Sequence, residues 1–189
     1  MIIVALDFET AGPSPLASCA LGLARVEGQA GGGFAVTATD SFLIRPPDPD
    51  VRYTEVHGLT WDDLKDQPDF ATRYHRFLDF LDGATHLAAH NAGFDRSVLM
   101  GGCEGHGLQP PDLPWICTVR LARSCWDIRP TKLPDVCRWL GIPLKHHDAG
   151  SDARACGQIV ADGLSDGLDI SAALLPQRGL QAAKAKGVT

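Results

Sequence analysis

The 189-residue chain lacks the marks of several protein classes. Its six cysteines include no CxxC pair, which argues against a zinc ribbon or a dithiol redox centre. No apolar run approaches the ~18 residues of a membrane span, and the first residues lack the basic stretch that opens a signal peptide. Basic residues are in deficit, with 17 Lys and Arg against 23 Asp and Glu for a net charge of -6. Proteins that grip long duplex nucleic acid carry a basic stripe, so any nucleic-acid contact here is expected to be small or metal-assisted. There is no internal repeat. Unpaired, mostly buried thiols in a reduced cytoplasmic setting are the expectation.

What is present is an ordered series of short elements. Residues 2–7 (IIVALD) are apolar and β-branched, as in a buried strand. Residues 19–26 and 34–45 read as two more strands, and the EGQAGGG between them makes an antiparallel hairpin. Pro46, Pro47 and Pro49 end the third strand. Thr60 and Asp63 have capping-box spacing. Phe70, Tyr74, Phe77, Leu78 and Leu81 fall on one face of a helix over 69–82. Residues 85–91 read as a short strand before a helix that starts near Gly93 and that Gly101, Gly102, Gly105 and Gly107 loosen. A strand end at 115–118 follows, with Thr118 capping the next helix. The helix within 130–144 closes at Gly141 and Pro143. The last strong helix lies within 151–164, with Ala153, Cys156, Ile159, Val160 and Leu164 on one stripe. Hairpin strands first, then helices alternating with short strands, predict an α/β fold with a mixed sheet. One domain over 1–165 is expected, followed by a partly flexible tail over 166–189 ending in a frayed QAAKAKGVT. Leu174 and Leu175 are the residues of that tail able to pack.

The chemistry lies in the acids. Side chains two apart in a strand share a face, about 6.6 Å apart along it, so Asp7 and Glu9 project together if the first strand persists to Glu9. Carboxylates about 4 Å apart repel by roughly 4 kcal/mol at an effective dielectric of 20. A divalent cation turns that repulsion into attraction, and Mg²⁺ and Mn²⁺ favour oxygen ligands. Without the cation, one of the two carboxyls is expected to show a raised pKa or greater mobility. Asp95 follows a strand and opens a helix, as does Asp152 in HHDAGSD. Singly, each is explained by solvated loops or by complementing a helix N-terminus, and Asn91 by a helix cap.

Together, DFET at 7–10, HNAGFD at 90–95 and HDAGSD at 147–152 resemble the DEDDh superfamily of 3′→5′ exonucleases, with VHGLT, WICTVRLAR and KLPDVCRWLGIPL as similar connecting segments. The similarity covers about residues 1–163 and resembles exonuclease X and the proofreading epsilon subunit of bacterial DNA polymerase III. It implies a ribonuclease H-like five-stranded mixed sheet with helices on both faces, and two divalent cations, Mg²⁺ or Mn²⁺. By this resemblance Asp7 bridges both metals, Glu9 and Asp152 hold the metal that activates water, and Asp95 helps hold the other. His147 is the general base, a role suited to a residue that titrates near neutral pH. Thr10, His57, Asn91 and Phe94 resemble substrate-contacting residues, with Phe94 as readily a core aromatic. His146 and Asp148 receive no role. Ala11 stands where many relatives carry threonine or glycine.

The expected substrate is the 3′ end of single-stranded DNA, shortened by release of nucleoside 5′-monophosphates, in repair or end trimming. The same motifs suit trimming of RNA 3′ ends, as in ribonuclease T or oligoribonuclease. A third reading is a proofreading or interaction subunit of a DNA polymerase. The roughly 25 residues after the last helix carry no polymerase-binding motif, so a free-standing enzyme is expected.

Overall fold

A computed structural model describes residues 1–176. Three long strands come first: β1 (Ile2–Thr10), β2 (Ser18–Gly28) and β3 (Phe34–Leu43). Two single-turn helices, α1 (Thr54–His57) and α2 (Trp61–Leu64), lead to α3 (Phe70–Phe80), β4 (His86–Ala89), α4 (Gly93–Gly105) and β5 (Trp115–Cys117). Helices α5 (Thr118–Trp126), α6 (Leu133–Leu140) and α7 (Ala149–Ser165) follow, and a 3₁₀ turn spans Ile170–Ala173. The sheet order is β3-β2-β1-β4-β5. β1 pairs antiparallel with β2 and parallel with β4, and β4 pairs parallel with β5. This is the mixed five-stranded sheet expected from the order of the elements, with the turn at 29–33 closing the β2–β3 hairpin.

Side-chain alternation divides the core between the two faces of the sheet. Val4, Leu6, Phe8 and Leu87 meet Phe70, Tyr74 and Phe77 of α3 and Val98, Leu99 and Cys103 of α4. Ile3, Ala5, Ala88 and Ile116 meet Leu121 of α5, Val136 of α6, and Cys156, Ile159 and Val160 of α7. Helices therefore cover both faces. Thr60 and Asp63 form the capping box at α2. All six cysteines are free, and only Cys125 is not buried. No helix among the described residues is long and apolar enough to cross a membrane.

The structure departs from the sequence reading at several points. Leu78 is exposed rather than on the packed face of α3. Thr118 is the first residue of α5 and makes no capping bond; its hydroxyl turns instead to His90 at 2.8 Å. Gly101, Gly102 and Gly105 do not loosen α4, which runs through all three. A Cβ on Gly101 would stand 2.4 Å from Pro15, one on Gly102 2.5 Å from the Phe70 ring, and one on Gly105 2.3 Å from Leu16. They are glycine because neighbours press on the helix there. Leu174 bridges to Ile116, and the Leu175 N–H donates to the Trp115 carbonyl at 2.8 Å, so the start of the tail joins the sheet edge. The QAAKAKGVT expectation lies outside the described residues.

Gly102→Ala should destabilise the chain by roughly 1–3 kcal/mol through overpacking against Phe70, despite alanine's better helix propensity. Urea unfolding measures this, and an unchanged or raised midpoint would contradict the packing account.

Candidate active site

Asp7 and Glu9 continue the odd-numbered series of β1 that begins with Ile3 and Ala5, so they project toward the α7 side of the sheet. The strand persists through Glu9, with a bulge between Glu9 and Thr10. Asp7 stands opposite Gly22 on β2. A Cβ on Gly22 would lie 1.8 Å from the Ala149 carbonyl oxygen, so a side chain there would push the first turn of α7 off the sheet. Small buried residues recur every fourth position along α7, at Ala149, Ala153, Gly157 and Ala161. The helix rides low, and Asp152 in its first turn reaches β1. One carboxylate oxygen from each of Asp7, Glu9 and Asp152 lies within 4.8 Å of the others.

Asp152 is 3% exposed. Its Oδ2 accepts the His147 backbone N–H at 3.0 Å and the His146 Nδ1–H at 2.9 Å. Its Oδ1 is buried and has no hydrogen-bond partner among the described residues. An orphaned buried oxygen is costly, and here it belongs to the acidic cluster. An all-carboxylate donor set with one unsatisfied oxygen fits a hard divalent cation. Asp95 stands one layer back. β1 and β4 pair only over Ile3–Ala5 against His86–Ala88, and beyond that point Asp95 Oδ1 accepts the Phe8 N–H at 3.0 Å.

Burial raises the titration of all four acids, and neighbouring carboxylates add to it at Asp7, Glu9 and Asp95. Burial, then the charges of Asp95, Asp152 and Glu9, hold Asp7 well above the carboxylate range. Burial and the charges of Asp152 and Asp148 push Glu9 up to about 7. Burial raises Asp95 to about 7 against the opposing bond from Phe8, and burial also raises Asp152 despite its bonds from His147 and His146. The raised carboxyl expected for a metal-free site extends to the whole set.

Two recesses of about 620 Å³ each flank the carboxylates. Glu9, His57, Leu59, His147 and Asp148 line one, termed the histidine groove. Asp7, Asn91, Arg123, Arg129, Lys132 and Asp152 line the other, termed the basic cleft. His146 borders both. His147 adopts a left-handed backbone, φ 65°, and its ring stacks on His146 with centroids 3.8 Å apart. A ring nitrogen of each histidine lies within 4.8 Å of the other and of an Asp152 oxygen. His57 Nδ1 accepts the Leu59 N–H at 3.1 Å, and burial lowers its pKa.

Thr10 is buried at 8% exposure and lines neither recess. Asn91 lies beside Asp7 with φ 62°; it is not the cap of α4, which is Ala92. Phe94 is 46% exposed and lines neither recess. It lies in the first turn of α4, and its exposure excludes the core-aromatic reading. His146, without a role in the sequence reading, carries the side-chain bond to Asp152. Gly22 also escaped that reading, although a lone glycine inside a strand is the available signal.

An exonuclease family model, of the RNase T type, matches residues 4–160. The chain is 31% identical over 165 residues to the PolC-type DNA polymerase III of Bacillus cereus, covering 86% of this chain and 11% of that protein. It is 30% identical over 157 residues to the PolC-type polymerase of Thermotoga maritima, covering 82% and 11%. The chain thus spans about a tenth of the length of these relatives. Among solved structures, exonuclease X in complex with 5′-overhanging duplex DNA superposes with a TM-score of 0.66 at 22% identity, covering 90% of this chain and 96% of that one. The nuclease domain of 3′hExo, a DEDDh family member bound to rAMP, gives 0.74 at 18% identity, covering 88% and 92%. These two likenesses bear on the fold.

Glu9 and Asp95 near 7, against 4.5 and 3.8 for unperturbed carboxyls, hold protons in the folded chain that the unfolded chain has lost. Stability of the metal-free protein therefore falls as pH rises from about 4.5 to about 7. Thermal melts across that window should show the decline. Added Mg²⁺ or Mn²⁺ should raise the melting temperature more at about pH 8 than at about pH 5, because ligands must deprotonate to bind. A pH-independent metal effect would contradict this account. Gly22→Ala, by displacing the Ala149 turn, should weaken that metal-induced rise as well as stability; an intact metal response would show that Asp152 had not moved.

Proposed function

The chain belongs to the exonuclease family marked by the DEDDh acids, a family of 3′→5′ phosphodiester hydrolases that use divalent metal ions, and on that premise we propose that it trims single-stranded DNA from the 3′ end and releases nucleoside 5′-monophosphates. The observation that carries this reading is the convergence of Asp7, Glu9 and Asp152 within 4.8 Å at the end of the central strand, beside the unpartnered Asp152 oxygen. Asp7, Glu9 and Asp152 would hold Mg²⁺ or Mn²⁺, with Asp95 behind them as the fourth acid. When bound, a pair of such ions supplies charge neutralisation at the phosphodiester and a water acidic enough to attack it near neutral pH.

The remaining work belongs to the chain itself. His147 sits exposed at the mouth of the histidine groove, where its imidazole has room to take the proton of the attacking water. The His147 backbone N–H and the His146 ring fix one oxygen of Asp152 and leave the other directed into the cluster. The groove beside His57 and Leu59 is the place for the terminal nucleoside. His57 is neutral there, since Nδ1 accepts from Leu59 and burial disfavours its charge. Thr10 follows Glu9 at the bulge that ends β1, and Asn91 faces the substrate from the other side of Asp7.

A second reading, removal of mismatched ends in association with a DNA polymerase, is favoured by the PolC-type relatives. Stoichiometric co-purification with a polymerase from cell extract would support it over a free-standing enzyme. RNA trimming uses the same chemistry, and matched DNA and RNA oligomers separate the two by rate.

A 3′-labelled oligonucleotide incubated with Mg²⁺ or Mn²⁺ should release labelled mononucleotide, and chelator should stop it. Asp7→Asn should abolish turnover while the fold persists by circular dichroism. His147→Ala should cost roughly 10²–10⁴-fold in kcat, the span of general-base catalysis, and should remove the acidic limb of the pH–rate profile. If His146→Ala has that effect and His147→Ala does not, the base is the neighbouring histidine. The reading fails if metal and chelator make no difference to the 3′ end.

A further inference from the structure

The two recesses beside the carboxylates differ in charge. The histidine groove is lined by Glu9, Glu55, Asp63 and Asp148, and its one lysine, Lys145, is paired with Asp148 at 3.0 Å. The basic cleft carries Arg123, Arg129 and Lys132 along its rim, and among the described residues its only acids are Asp7 and Asp152 of the metal cluster. In a chain of net charge -6, three cations gathered on one side of the site depart from the rest of the surface.

Those cations are available. Among the described residues, Arg123 and Lys132 have no carboxylate partner within salt-bridge distance, and Arg129 meets Asp127 at 3.2 Å in a pair that is mostly exposed on both sides, a weak arrangement in water. Arg123 spends only its Nε, on the Thr131 hydroxyl at 2.8 Å, which leaves the guanidinium fork open. A fork of this kind matches phosphate geometry, whereas a lysine acts on phosphate as a point charge.

The rim is also held in place. His90 is pushed down to about 4 by burial, so its ring is neutral. With one ring proton, Nε2–H donates to the Thr131 carbonyl at 3.0 Å, and Nδ1 accepts from the Thr118 hydroxyl at 2.8 Å. Thr131, 8% exposed, is thus gripped at its carbonyl by His90 and at its hydroxyl by Arg123. Arg129 and Lys132 flank that anchored residue, so less ordering entropy opposes binding across them.

Resting on the exonuclease reading, we propose that the basic cleft is a second subsite, which holds the internucleotide phosphate next upstream of the scissile one. The terminal nucleoside occupies the histidine groove, the scissile phosphate spans the carboxylates, and the strand leaves through the basic cleft past Arg123, Arg129 and Lys132. His90 is a positioning residue for this rim. The subsite sets a minimum productive length, because a substrate too short to carry a second phosphate leaves the rim unused.

A single neutral linkage tests this. Two otherwise identical oligothymidylates are compared, one all-phosphodiester and one with a methylphosphonate at the first linkage upstream of the scissile bond. The wild-type protein should lose about tenfold in kcat/KM on the second, the scale of a charge-assisted hydrogen bond, and chiefly through KM. The Arg123→Ala, Arg129→Ala, Lys132→Ala triple variant should bring the ratio of the two substrates close to one, and Lys132→Arg should preserve it. A wild-type ratio near one, or a triple variant that slows on both substrates with the ratio intact, overturns the proposal while leaving the exonuclease reading in place. Failure to cleave either oligonucleotide overturns both.

Discussion

The burial of four crowded carboxylates at the end of β1 is the constraint around which this fold is arranged. Asp7, Glu9, Asp95 and Asp152 come from three elements, and each is held near the others by bonds that do not neutralise it. Asp95 is tied to the backbone of β1 through the Phe8 N–H. Asp152 is tied by the His147 N–H and the His146 ring. Asp7 and Glu9 are fixed by a strand whose other residues are locked in two cores. Burial first, and at Asp7, Glu9 and Asp95 the neighbouring charges, raise these acids, a cost of ionising them in the metal-free fold. A cation that relieves it is favoured by what the fold has already assembled, and little rearrangement is required to receive it.

Much of this was legible in the sequence, because the informative signals are local and periodic. The buried run of β1, the EGQAGGG turn and the acid-bearing starts of α4 and α7 each follow from residue type and spacing. What could not be read are contacts between distant segments. Gly22 looks like an indifferent residue in a strand, and its meaning appears only when Ala149 is found lying on it. The glycines of α4 looked like breakers because propensity counts the helix alone, whereas Pro15, Phe70 and Leu16 occupy the space where side chains would stand. His146 received no role because adjacent loop histidines are usually solvated, and only the turn into α7 brings its Nδ1 to Asp152. Phe94 could as readily be read as a core aromatic by residue type, yet its place on α4 leaves it exposed.

The asymmetry of the two recesses gives the site a direction. A neutral histidine and a leucine lie on one side of the carboxylates, and three cations on the other. On the proposed path, that asymmetry would draw a polyanionic strand to one side of the carboxylates. The tandem histidines sit on the divide, His146 facing both recesses and His147 one. An acidic protein can in this way act on an acidic polymer: it needs favourable charge over a short stretch, and the remaining surface discourages binding away from ends.

The glycines of α4 carry a consequence for how the molecule opens. A helix end bearing Gly101, Gly102 and Gly105 has little helical preference of its own, so its order is borrowed from Pro15, Leu16 and Phe70. Pro15 and Leu16 belong to the segment that leaves the bulge just after Glu9. That segment and the far end of α4 are therefore expected to loosen together in local unfolding. A contact at the remote end of a helix thus helps hold the segment that follows the carboxylate-bearing strand.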